Sequence, residues 1–315
     1  MNIGQLLSLL ALLLFAANTI VVRLASERHV QRSGFMIALC ANAVGVVVVL
    51  ASTVLVGHTV TWDWRGVAVF ALVGLLTTFL GRRLLFLAIQ EIGPSRASAL
   101  QVTNPIFALV IGVTFLGDEV TTVQLLCIVA VLAGLYLTSR EARPLLVAPV
   151  VPDAAPTTMP TAVSTRTKET LSSGVAIALF AAVSYGVGNV LRAAGVRSWE
   201  EPVLGTLVGV VAAMALYGAV VMRPRELWTS LIRGERRGVA LWITSGLLTA
   251  VAQVCVTAAS GLIPVAVVLV ISSSFPIVIL PVSVLLLHNA EGVTTSTFAG
   301  AVVIVAGVST LVLQG

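Results

Sequence analysis

Two adjacent arginines, Arg82 and Arg83, stand inside an otherwise uncharged apolar stretch of this 315-residue chain. A charge held at mid-bilayer depth on a helix costs about 2.5–3.5 kcal/mol even on lenient insertion scales, so such residues need a reason. Helix neighbours point about 100° apart, so at most one of the pair faces a given interior. Arg82 is the candidate for an inward cation, suited to an anionic group or an internal carboxylate. The plainer reading lays the long side chain along apolar surface and keeps its head at the interface. That reading suits Arg83 better.

Pro105 and Pro276 fall near the middle of two further apolar stretches. A proline inside a helix removes an amide donor and clashes with the preceding turn, freeing carbonyls that apolar lipid cannot satisfy. Gln101, Thr103 and Asn104 flank the first proline; Ser272, Ser273 and Ser274 flank the second. Paired interruptions at corresponding positions of two half-units point to a binding site, against the plainer reading of a packed kink. Asn18, Asn42, Asn189, Tyr185 and Gln253 are isolated polar groups in apolar surroundings. Interhelical hydrogen bonds of roughly 0.6 kcal/mol each account for them as well as ligand contact does. Asn18 and Asn189 gain weight from their equivalent positions. The candidate binding set is therefore Asn18, Arg82, Gln101, Asn104, Pro105, Asn189, Gln253, Ser272, Ser273, Ser274 and Pro276.

Catalysis has no comparable support. His29, His58 and His288 lie at loops or helix ends with no metal-ligand spacing, and no acid–base cluster falls in an apolar stretch. No catalytic residue, metal or cofactor is expected. Cys40, Cys127 and Cys255 are odd in number and widely spaced, which gives no disulfide framework and reads as buried small hydrophobes.

The elements that must hold these residues follow from composition. Hydrophobic residues make up 58% of the chain and charged ones 10%, with a mean hydropathy of +1.07. A soluble chain carries about a quarter charged residues, so this is an integral membrane protein. Crossing a hydrocarbon core takes about 20 helical residues. Ten uncharged or nearly uncharged stretches qualify: Ile3–Val22, Ser33–Gly57, Gly66–Gln90, Ala97–Gly117, Val120–Ser139, Gly174–Leu191, Pro202–Met222, Val239–Ala259, Pro264–Leu287 and Gly292–Leu313. None shows the apolar–polar alternation of a β-barrel strand, so the expected fold is all-α.

The chain also repeats itself. Asn18 and Arg23 answer to Asn189 and Arg192, and Gly74-Leu75-Leu76-Thr77 returns as Gly246-Leu247-Leu248-Thr249. Pro105 answers to Pro276, Val120-Thr121-Thr122 to Val293-Thr294-Thr295, and Ala133-Gly134 to Ala306-Gly307. Matches in one order at nearly one spacing mark a duplicated unit. Residues 1–139 form the first unit and residues 173–315 the second. Residues 140–172 form a linker whose prolines and threonines cannot bury a core. Five helices per unit force the second copy to enter the membrane in the opposite sense, giving two inverted repeats.

Basic residues orient the bundle. Arg65, Arg192 and Arg197 fall on the face with the termini. The other face receives twelve: Arg23, Arg28, Arg32, Arg140, Arg143, Arg166, Lys168 and five arginines between positions 223 and 237. The positive-inside rule puts the rich face in the cytoplasm and both termini outside. The sequence pI near 9.7 thus reflects membrane orientation, not nucleic acid.

Ala88-Ile89-Gln90-Glu91-Ile92-Gly93-Pro94-Ser95-Arg96-Ala97, Asn104-Pro105-Ile106-Phe107-Ala108, Leu116-Gly117-Asp118-Glu119 and Ala133-Gly134 together resemble the end of a half-unit of an EamA-type protein. That family belongs to the drug/metabolite transporter superfamily. The second copy keeps Phe275-Pro276 and Ala306-Gly307 and blurs the acidic turn to Glu291-Gly292. The resemblance implies a ten-helix secondary transporter of a small metabolite or drug, alternating access around a midplane cavity in the cell membrane. Such relatives are usually drawn with cytoplasmic termini, where the charge count places them outside. A channel-like ion-conducting protein is the alternative. The expected partners are the lipid bilayer and a small-molecule substrate, with no nucleic acid, and a homodimer stays open. No Asp or Glu lies in any of the ten stretches, so proton coupling through a membrane carboxylate has no candidate; Glu91 is the nearest in sequence to Arg82.

The charge bias makes a direct prediction. Single cysteines at Thr158 and Glu235 should resist a membrane-impermeant maleimide in intact cells and react after lysis. Labelling of both before lysis reverses the orientation.

Overall fold

A computed structural model describes residues 2–26, 31–92, 97, 100–141, 168–220, 228, 235–275, 278–279 and 295–313. Among these the chain is all-helical. In order run α1 (Ile3–Ser26), α2 (Gln31–Leu55), α3 (Trp64–Gly74), a π-helical stretch (Leu75–Gly81) and α4 (Arg82–Ile92), the last three forming one rod. After them come α5 (Asn104–Ile111) with a π turn (Gly112–Leu116), α6 (Thr122–Glu141), α7 (Lys168–Trp199) and α8 (Pro202–Val220). The chain finishes with α9 (Arg236–Leu262), α10 (Val265–Ser273) and α11 (Thr295–Leu313). Each of the ten expected stretches therefore holds a helix.

Among the described residues six helices are long and apolar enough to cross a membrane: Ile3–Val22, Gly34–Leu55, Trp64–Ile89, Ser173–Trp199, Pro202–Val220 and Arg236–Leu262. The outward surfaces are apolar: Val48, Phe115, Phe180 and Leu313 are all well exposed. A water-facing surface seldom carries that much apolar area, whereas lipid tails accept it.

Local chemistry starts and stops these helices. Asp63 caps α3 by accepting from the Arg65 and Gly66 amides. Pro202 opens α8, where a missing N–H has no helical partner to lose. Gly117 ends the π turn in the left-handed conformation, φ 68° and ψ 28°, which glycine adopts without a Cβ penalty. The reversal it allows turns Asp118 back toward the bundle, where the Asp118 amide donates to the Gly112 carbonyl at 3.2 Å. α9 runs on to Leu262, and only extended Ile263 and Pro264 separate it from α10.

Both α1 and α2 pack along α9, α3 along α8, α4 and α5 along α7, and α6 along α11. The largest apolar core joins Leu12, Ile128, Val131, Val256, Val267, Ile271, Ile304 and Leu311 from α1, α6, α9, α10 and α11. Two glycines set the closest approaches. A Cβ on Gly74 would lie 1.9 Å from the Gly209 carbonyl oxygen, and one on Gly246 would lie 2.3 Å from that of Ala38. Both belong to the duplicated Gly-Leu-Leu-Thr motif, and no side chain fits at either place.

Gly74→Val should push α3 off α8 and destabilise the fold by about 1–3 kcal/mol or more. Gly218→Ala should be near neutral, because its Cβ would meet only Met36 Cε at 3.4 Å. Melting curves of the two solubilised variants test this; equal midpoints would show that the contact carries no stability.

Candidate functional site

The wall of the site begins with the helix break of the third rod. A π-helical stretch winds more slowly than an α-helix and re-aims its side chains, and such segments are frequent at functional sites. Here it presents Thr77 and Thr78 to a small cleft. Phe70, Val73 and Gly74 of α3, Arg192 of α7, Gly205, Thr206, Gly209 and Val210 of α8, and Gln253 of α9 complete the lining. Residues from both halves of the chain thus share one small space.

Its polar groups are held in place. Thr77 donates to the Val73 carbonyl at 2.7 Å. Thr206 Oγ1 donates to the Pro202 carbonyl at 2.7 Å and lies 3.0 Å from Thr257 Oγ1. Gln253, which lines the cleft, accepts from Asn42 Nδ2 through Oε1 at 3.0 Å, and its amide nitrogen has no partner among the described residues. Arg192 Nη1 donates to Asn189 Oδ1 at 2.9 Å, one turn earlier on the same helix.

Arg192 corrects the sequence reading. The expected span Gly174–Leu191 stops just before it and leaves it on the outer face, but α7 continues to Trp199 and carries it into the helix. Ending a span at its first arginine hid the residue most relevant to the cleft. Its repeat partner Arg23, at the end of the first apolar stretch, was the available signal.

The other candidates spread over the bundle. Gln253 lines the cleft and Asn189 braces its arginine. Asn18 Oδ1 accepts from Ser245 Oγ at 2.6 Å, tying α1 to α9. Arg82 stacks on Phe35, with Cζ 4.4 Å from the ring centroid, and Phe35 meets Tyr217 edge-on at 5.0 Å. That cation–π contact offsets part of its burial. Arg83 is exposed.

The fourth rod breaks at Val102–Thr103, and Pro105 sits buried in the first turn of α5. Gln101 Oε1 and Asn104 Oδ1 are buried with no hydrogen-bond partner among the described residues. The ninth rod breaks at Ser274–Phe275, the equivalent place. Ser272 and Ser274 are buried and donate to Val268 and Val270 carbonyls of their own helix, each at 2.7 Å, while Ser273 is partly exposed. Pro276 lies outside the described residues. Glu91 falls in the last turn of α4, and its Oε2 is buried without a partner among the described residues.

Two ionic clusters at the end that carries the termini were not anticipated. Asp118 pairs with Arg197 Nη1 at 2.7 Å and accepts the Val265 amide at 3.0 Å, capping α10 from another segment. Glu201 accepts from the Thr61 amide at 2.8 Å and the Thr61 hydroxyl at 3.0 Å, with His58 Nε2 at 3.1 Å. Trp199 Nε1 donates to the Thr61 carbonyl at 3.2 Å and completes the tie. Acidic and basic partners on separate loops show no fixed spacing, so sequence alone does not pair them. Among the described residues no group of three His, Cys, Asp or Glu could hold a metal.

Membrane-length apolar helices around a small polar cleft define a multi-pass helical membrane protein. Residues 2–140 match the model of the EamA-like transporter family. A protein known from its crystal structure aligns with 99% of this chain and 96% of its own, at 18% identity and a TM-score of 0.69, which shows a shared fold. No curated protein matches the chain.

Burial alone would push the Glu201 carboxyl up, but the Thr61 amide, His58 and the Thr61 hydroxyl outweigh it and hold the group below the ordinary carboxylate value. A lowered folded-state value means stability that is present above the unfolded pKa of about 4.3 and lost as pH falls through the folded one. The melting midpoint should therefore drop below about pH 4.3. Glu201→Gln should drop less steeply over that window. Parallel curves for the two proteins would mean that the Glu201 contacts contribute nothing to folding.

Proposed function

We propose that the chain is a secondary transporter of a small metabolite or drug in the cell membrane, built from two inverted five-helix repeats over residues 1–139 and 173–315. The cleft shared by both halves is the observation that carries this reading. Helix pairing supports the duplication: α3 against α8 mirrors α9 against α2, and α5 against α7 mirrors α10 against α1. The two Gly-Leu-Leu-Thr motifs take part in the first of those pairs, each at a backbone-to-backbone approach. The apolar outer surface supports membrane insertion.

In this reading the substrate occupies the cleft between the halves and the repeats rock against each other to expose it to either side. The equivalent breaks near Pro105 and at Ser274–Phe275 are where the backbone bends. Gln101 and Asn104, with oxygens lacking partners among the described residues, extend the polar route beside α7. Arg82 on its Phe35 stack marks the end of that route nearest the basic loops. The cytoplasmic placement of those loops gains from Arg192, which leaves Arg65 and Arg197 as the basic residues of the opposite face.

The reading predicts a pattern of water access. In a chain whose Cys40, Cys127 and Cys255 are replaced, cysteines at Thr78, Asn104 and Gln253 should react with a small water-soluble thiol reagent. Cysteines at Val48 and Phe180, exposed on the outer surface, should stay unlabelled in lipid. Labelling confined to the outer positions would put water where the account puts lipid and remove the cleft as the site.

A further inference from the structure

The six membrane-length spans hold seven formally charged side chains, all arginines: Arg65, Arg82, Arg83, Arg192, Arg197, Arg236 and Arg237. Six have their charge accommodated. Arg65, Arg83, Arg236 and Arg237 are exposed, Arg197 meets Asp118, and Arg82 lies on Phe35. Arg192 differs. Among the described residues it is the one charged residue lining the cleft, and no carboxylate of theirs lies within ion-pair distance of it. A guanidinium carries five N–H donors, and here one goes to a neutral amide oxygen, that of Asn189.

The groups beside it are also donors. Gln253 presents its amide nitrogen because Asn42 holds its oxygen, and the Thr78 hydroxyl has no partner among the described residues. Phe70, Val73 and Val210 make the remaining wall apolar. Among the described residues no acidic side chain lines the cleft, so none of them pairs with an ammonium or another cation there.

Resting on the transport reading above, we propose that the cleft recognises a small organic monocarboxylate whose remainder is uncharged. The carboxylate takes the fork of Arg192, the geometry that a planar guanidinium satisfies with two parallel hydrogen bonds. Gln253 and Thr78 donate to the same oxygens, and Asn189 positions the guanidinium from behind. Compounds with a cationic group are excluded because the cleft cannot neutralise them, which separates this substrate class from amino acids and organic cations.

The test uses the purified full-length chain in detergent and matched probes: lactate with lactamide, isovalerate with isovaleramide, benzoate with benzamide, then methyl phosphate and choline. A ligand that binds the folded state raises its melting point by mass action. At least one carboxylate should raise the midpoint where its amide and choline do not. Arg192→Gln should weaken the apparent affinity on the order of thirtyfold, the usual effect of losing one partner of a close charge pair. Arg192→Lys should keep part of the effect, and the exposed control Arg83→Gln all of it. No shift from any carboxylate at millimolar concentrations, or a shift untouched in Arg192→Gln and Arg192→Lys, overturns the proposal. So does a shift from methyl phosphate alone. Equal shifts from acid and amide, both lost in Gln253→Leu, would remove the carboxylate assignment while leaving the cleft as the binding site.

Discussion

Hydrocarbon offers no hydrogen bonds, and that constraint shapes this protein at every level. Backbone groups must be satisfied within each segment, so the described segments that would cross the membrane are helical. Side chains obey the same rule. Asn18 finds Ser245, Asn42 finds Gln253 and Asn189 finds Arg192, while Thr77, Ser272 and Ser274 bond carbonyls of their own helices. The first two of these tie different helices together and fix their rotation, and the third stays within α7. Those of the last kind hide a hydroxyl without contributing a tie. The rule is incompletely met among the described residues at Gln101, Asn104, Asn42 Oδ1 and Glu91 Oε2.

Packing explains why the opening lies where it does. Helix association in lipid relies on close backbone approach, and Gly74 against Gly209 brings α3 and α8 together. Immediately beyond that contact the third rod turns π-helical, and its wider winding opens the cleft at Thr77 and Thr78. The tight contact and the open space are thus neighbours on one helix. At the end with the termini, Asp118 and Glu201 bind separate loops to each other. A transporter working by the proposed rocking would have to break such ties and remake them, and because both carboxylates are buried, each broken tie would need water or a new partner in its place.

The fold was largely legible in the sequence because lipid imposes long uncharged runs, and ten of them announced ten helices. The proposed duplication rests on glycines and prolines that keep their places where apolar residues interchange freely. The site was only half legible. Gln253 and Asn189 stood out as polar groups in apolar surroundings, yet Arg192 did not, since a charge two turns from a helix end looks like the end itself. Arg82 stood out for its charge, and an aromatic partner on a distant helix, Phe35, is what accommodates it. The π stretch left no trace in composition. Pairings such as Asp118 with Arg197 depend on which loops the fold brings together, a property of the whole bundle.

Whether the polar cleft carries a solute by alternating access is most directly tested by counterflow in proteoliposomes. Vesicles loaded with an excess of unlabelled solute should take up trace labelled solute transiently above its equilibrium level, and external solute should saturate the rate. A carrier does this because each reorientation exchanges one bound molecule for another. Uptake that rises linearly with concentration and shows no overshoot, together with a conductance across the same membranes, would contradict the account and identify a channel instead.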